Sequence, residues 1–157
     1  MLYRRLTDEE LEPLEKKFIQ FLVANTITAD DWANMKERRP EQAAQMVDIF
    51  SDVVFEETLR KVQFLKQTTP KELRIFRCSA DKIELLGLVL EKNSAIDFSK
   101  DDTWLKNDIF TEGGISFFNV EKSYSEKRES EIFKMIENGC RITDASLFQM
   151  LEALKKE

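Results

Sequence analysis

Between residues 40 and 68 apolar side chains recur at helical spacing. Ala43, Val47, Phe50, Val54, Val62 and Leu65 share one broad face when the stretch is plotted at ~100° per residue. Pro40 suits a first helical turn, where its missing N–H costs nothing. Pro70 pushes the residue before it out of the helical region. The spacing therefore predicts one long helix over 40–68, spanning roughly 40 Å. Its apolar flank needs cover, because burying each large side chain contributes about 1.5–3 kcal/mol.

Upstream, Leu6-Thr7-Asp8-Glu9-Glu10-Leu11 carries the marks of a helix start. Thr7 is placed as N-cap, Glu10 completes a capping box, and Leu6 and Leu11 form a hydrophobic staple. Leu11, Leu14, Phe18, Phe21 and Leu22 continue the stripe, and polar Asn25 ends it. Pro13 conflicts with a regular helix, so the helix kinks there or its regular part begins there. The same device recurs at Ile27-Thr28-Ala29-Asp30-Asp31-Trp32, opening a short helix to about Arg38. It recurs again at Ile142-Thr143-Asp144-Ala145-Ser146-Leu147, with Thr143 as the expected cap and Ile142 facing Leu147.

After Pro70 the period changes. Residues 73–78 (LRIFRC) and 83–90 (IELLGLVL) read as strands of an antiparallel hairpin turning at 79–82. The second is apolar at nearly every position, as a central or doubly covered strand would be. Residues 115–120 (ISFFNV), with an extension towards Tyr124, give a third strand after a Gly113-Gly114 turn. A helical turn over 99–105 would use Trp104 as an anchor. Residues 126–138 and 144–155 return to helical spacing, and Asn138-Gly139 is a C-cap signal. The expected fold is α+β. It has a long central amphipathic helix, N- and C-terminal helices, and a small antiparallel sheet of about three strands. One domain over 1–157 is expected, with a helical part at 1–70, the sheet at 71–124 and a helical hairpin at 125–157.

Composition narrows the chemistry. The chain has 157 residues, 42% hydrophobic and 34% charged, with a net charge of −6. Those proportions fit a globular protein with its own core. Dispersed acidic charge makes nucleic acid an unexpected partner. No stretch approaches the ~20 apolar residues that span a bilayer, so no membrane role is expected. Two isolated cysteines, Cys78 and Cys140, suit a reducing cytoplasm rather than a disulfide framework. The chain has no histidine, which removes histidine-based nucleophilic catalysis and the usual zinc sites. Its four glycines form neither a Walker loop nor a GxGxxG turn. No cofactor is expected.

Three sets of residues on the long helix remain. Asp48, Asp52 and Glu56 stand four apart and stack along one side. Such carboxylates would suit Mg²⁺ or Mn²⁺, yet they project opposite Phe50 and Val54, and a solvated face is the plainer reading. Glu57, Lys61, Ser51 and Thr58 project onto the apolar side and would line a pocket if buried. The plainer reading lays their aliphatic stems along the core edge with the charges in water. Ile49 and Leu59 are apolar residues on the polar side, marking a second contact with the sheet or with a partner.

Several stretches resemble a family of small uncharacterised bacterial proteins, a domain of unknown function. They are Tyr3-Arg4-Arg5-Leu6-Thr7, Ile27-Thr28-Ala29-Asp30-Asp31-Trp32, Phe50-Ser51-Asp52-Val53-Val54-Phe55-Glu56, and Glu131-Ile132-Phe133 with Asn138-Gly139-Cys140. The resemblance implies a bacterial, cytoplasmic origin and supplies no activity or site residues. The residues themselves favour a non-enzymatic interaction or adaptor protein, its partner another protein or a second copy. The alternative is a carboxylate-dependent metal enzyme or small-ligand binder using the acidic residues of the long helix.

Overall fold

A computed structural model of the protein describes residues 1–91, 96–100 and 114–155. Two compact units divide the chain, Met1–Arg60 and Lys61–Glu157.

The first unit is helical. Helix α1 (Asp8–Leu11) starts as expected: Thr7 Oγ1 accepts the Glu10 amide at 3.2 Å and Glu10 accepts the Thr7 amide at 2.9 Å. Pro13 does interrupt regularity. A 3₁₀ turn over Glu12–Leu14 carries it, and α2 (Glu15–Ala24) follows. The missing N–H of Pro13 thus falls where the chain tightens rather than inside a ladder. Thr28 caps α3 (Ala29–Arg38) with Asp31 completing a second capping box. Helix α4 (Pro40–Lys61) is the long one. Phe50 is buried on it against Phe18 and Phe21, with ring centroids 5.0 and 5.4 Å away, and Trp32 meets Phe18 edge-on at 5.1 Å. These aromatic contacts fix α2 and α3 on the apolar side of α4.

Helix α4 ends seven residues before the expected position, at Lys61. Phe64–Thr69 is strand β1 instead. Val62 and Leu65 keep the helical spacing, but the β-branched Thr68 and Thr69 favour the strand. Pro70-Lys71 then makes a tight turn into β2 (Glu72–Cys78), with Thr69 opposite Glu72 and Phe64 opposite Arg77. The expected hairpin of β2 with β3 (Lys82–Leu90) is present, and β4 (Ile115–Ser123) pairs along β3.

The C-terminal stretch departs from a plain helical hairpin. Helix α5 (Arg128–Glu137) ends at Asn138 and at Gly139, whose φ of +107° suits glycine. A short strand β5 (Arg141–Thr143) then pairs with β1 before α6 (Ser146–Lys155) begins. Thr143 is therefore a strand residue, not a cap. The Asp144 carboxylate accepts the Ser146 amide at 3.0 Å in its place. Ile142 is 55% exposed on that strand and forms no staple. The free edge of β1 captured a β-branched Ile-Thr pair that resembled a cap only locally.

The sheet has five strands among the described residues, not three, in the order β4-β3-β2-β1-β5. It starts at Phe64 rather than near residue 71. One face carries Leu73, Ile75, Leu86, Leu88 and Leu90, packed with Phe148 and Leu151 of α6 and with Phe98. β3 is an interior strand, which its unbroken apolar run anticipated. Trp104, Gly113 and the end of the expected turn over 99–105 lie outside the described residues.

Candidate interaction site on the long helix

Residues 2–6, with a bend at Tyr3, lie along the side of α4 that carries Asp48, Asp52 and Glu56. The segment runs antiparallel to the helix. Asp52 accepts two successive main-chain donors, the Leu2 amide at 2.8 Å and the Tyr3 amide at 3.1 Å. The Tyr3 phenol donates to Glu56. Arg5 donates to both oxygens of Asp48, at 2.6 and 3.1 Å. The Leu6 amide donates to Ser51 Oγ at 3.0 Å, and that hydroxyl donates to Val47 O at 2.7 Å. Phe55 meets the Tyr3 ring at 5.8 Å and the Arg4 guanidinium at 4.9 Å.

Each acceptor follows from helical spacing. Positions 48, 52 and 56 rise one turn at a time, so their carboxylates form a ladder about as long as four extended residues. Two arginines in the arm supply opposite charge. The hydrogen bond from Arg5 holds the Asp48 carboxyl below the usual aspartate range. Arg4 does the same for Glu10, whose carboxyl falls from its ordinary 4.5 to about 2 through that hydrogen bond and then the Thr7 amide.

The ladder is therefore not bare: each of its carboxylates accepts a hydrogen bond from the arm, and all three stay partly exposed. Among the described residues no three of His, Cys, Asp and Glu gather as a metal ion would require. Of the residues projected onto the apolar side, Ser51 is fully buried, while Glu57, Thr58 and Lys61 are exposed. Glu57 stands 3.9 Å from Lys17 of α2. Ile49 and Leu59 separate. Ile49 is 51% exposed, but Leu59 is 2% exposed and unavailable to a partner surface. Leu59 is thus enclosed within the chain, although the helical projection places it on the polar side.

The arm was not legible beforehand, since a five-residue segment has no period to read. The charge match between Arg4-Arg5 and the ladder was its one available sign.

The second unit holds a half-buried polar cluster that motif reading also missed. Arg128 donates to three main-chain carbonyls: Val62, Cys78 at 3.1 Å and Ser79 at 3.1 Å. Tyr124 donates to Ser79 O at 2.6 Å. Burial pushes the Cys78 thiol up to about 11, against the lowering effect of Arg128. Burial likewise raises the Tyr124 phenol to about 12. Neither group ionises near neutrality, so the cluster joins backbone ends rather than activating a nucleophile. Glu131 is buried beside it. Burial raises its carboxyl, but hydrogen bonds from Lys122 and Ser125 outweigh that, and the net direction is down. A groove of about 140 Å³ lies beside α6, lined by Arg77, Glu84, Asn119, Phe148, Glu152 and Lys155. Arg77 crosses it, 4.6 Å above the Phe148 ring and paired to Glu84 and Glu152.

No described helix is long and apolar enough to cross a membrane. The profile of one protein family matches residues 1–156, and that family is described as one of unknown function. Nothing among curated proteins and nothing among solved structures matches the chain.

Proposed function

Because the chain belongs to DUF6495, a family of unknown function, we propose its role from the geometry of α4: a non-enzymatic interaction module that pairs with a second copy of itself. The observation that carries this reading is the outer strip of the helix. Gln42, Met46, Ile49 and Val53 follow one another at steps of four, three and four residues, the spacing of a coiled-coil seam. Ile49 is 51% and Val53 41% exposed, and no charge interrupts the strip. A strip of this kind is self-complementary, so two copies related by a two-fold axis present the same residues to each other.

The strip spans about 17 Å of helix. That is short for a stable interface, which needs roughly 1,000 Å² of buried surface or more. The pairing is accordingly weak and concentration-dependent. Two buried, free cysteines support placing it in a reducing compartment such as the cytoplasm.

Sedimentation velocity tests the reading. From roughly 10 to 500 µM, a range that brackets weak association, the wild-type chain is expected to shift from monomer to dimer. Ile49→Asp and Val53→Asp are expected to stay monomeric with unchanged melting temperature. A wild-type chain that remains monomeric throughout would remove the reading.

A further inference from the structure

The ladder side of α4 already displays a ligand: the chain's own residues 2–6. We propose that this side is a recognition site for a short Arg- and Tyr-bearing segment, and that the same segment of a second copy exchanges into it. This goes beyond the outer strip and requires neither Ile49 nor Val53.

Everything the site reads is local. The two amides caught by Asp52, the phenol on Glu56, the guanidinium on Asp48 and the amide on Ser51 all belong to residues 2–6. Their acceptors all lie within one stretch of one helix. An arm from another copy offers identical donors in identical order, and exchanging an identical element is a low-cost route to dimers. Charge also selects it, since the Arg5 guanidinium pairs with the Asp48 carboxylate of the ladder. The capping box between Thr7 and Glu10 gives the arm a fixed pivot at its junction with α1.

Tethering favours the copy's own arm, because a short link provides an effective concentration in the millimolar range. In the wild type, exchange is therefore a minor state. A charge swap exposes it. Arg5→Asp sets two carboxylates against each other within one chain, and Asp48→Arg sets two guanidinium groups against each other. Mixed, each variant's arm matches the other variant's helix, in both directions. A chain carrying both substitutions restores the match within itself.

The experiment is sedimentation velocity of full-length chains, all in the Ile49→Asp background so that pairing through the outer strip is removed. The equimolar mixture is expected to form a heterodimer at least tenfold tighter than either variant's self-association. The doubly substituted chain is expected to be monomeric. A mixture that sediments as the sum of its parts overturns the proposal, as does either variant alone dimerising as strongly as the mixture. Should a charge-reversed chain fail to fold, neutral variants ask the same question. Tyr3→Phe with Arg5→Ala weakens the arm, Asp48→Ala weakens the site, and only their mixture is expected to associate. Monomeric wild type with an associating mixture would sink the outer-strip reading and leave this one standing.

Discussion

The Phe118 ring lies flat over Gly87 on the neighbouring strand, where the two residues are cross-strand partners. A Cβ at position 87 would stand 2.1 Å from Phe118 Cζ and 2.3 Å from Cε1. Glycine in an interior strand is normally a weakness. Here its missing side chain is the space the ring fills. Gly87→Ala is expected to destabilise the protein by about 1–3 kcal/mol, the usual cost of overpacking. Denaturant unfolding should show this loss, and Phe118→Ala should absorb part of it in a double-mutant cycle. Additive effects would mean that the two residues are not coupled.

Ser51 lies between the arm and the helix, fully buried, accepting the Leu6 amide and donating to Val47 O. Ser51→Ala keeps the volume close and the helix propensity good, but leaves the Leu6 N–H buried without an acceptor. Such an orphaned donor costs about 1–3 kcal/mol. The expected result is a lower midpoint in urea and faster amide exchange at Leu6. Ser51→Thr, which retains the hydroxyl, should lose less unless its extra methyl clashes.

Arg128 spans the ends of two strands by donating to Val62, Cys78 and Ser79 carbonyls. Lysine retains the charge but not the planar fork that reaches three acceptors. Arg128→Lys is therefore expected to recover little of what Arg128→Met loses, about 1.5–3 kcal/mol for hydrogen bonds to a charged group. Equal stability of wild type and Arg128→Lys would show that charge alone suffices there.

What could be read from the sequence divides along physical lines. The Thr7 and Thr28 capping boxes, the β2–β3 hairpin and the Asn138-Gly139 stop all depend on neighbours within a few residues, and all were legible. The end of α4 was not, because Val62 and Leu65 continue the helical spacing and the decision belongs to the pairing of β1 with β2. Thr143 failed for the same reason: β1 offered it a partner that its local motif could not reveal. At the candidate site the ladder of Asp48, Asp52 and Glu56 was visible as spacing. Its occupant was not, since the contacts join residues about fifty positions apart.

With those carboxylates committed to the arm, divalent ions have little to bind. Millimolar Mg²⁺, Mn²⁺ or Ca²⁺ is expected to leave the melting temperature unchanged. An ion held at a hundred times its dissociation constant would add about 2.7 kcal/mol of stability. A clear upward shift with any of the three would return the ladder to consideration as a metal site.

Acid should release the arm before it unfolds the sheet. Glu10 and Asp48 both have carboxyls lowered on folding, the first by hydrogen bonds from Arg4 and the Thr7 amide, the second by the hydrogen bond from Arg5. A carboxyl depressed in the folded state stabilises it fully above its unfolded value, and that stability is lost as pH falls through the folded value. For Glu10 the window runs from 4.5 down to about 2. Above that window these two groups contribute no pH dependence. The amide resonances of Leu2 and Tyr3, which report docking on Asp52, are therefore expected to hold constant at neutral pH and to move towards unfolded positions within the window. Arg4→Gln removes the main cause of the Glu10 shift, so its Glu10 transition should move up towards 4.5, the ordinary value. Arm resonances that titrate only together with global unfolding would show that the arm is no separate latch.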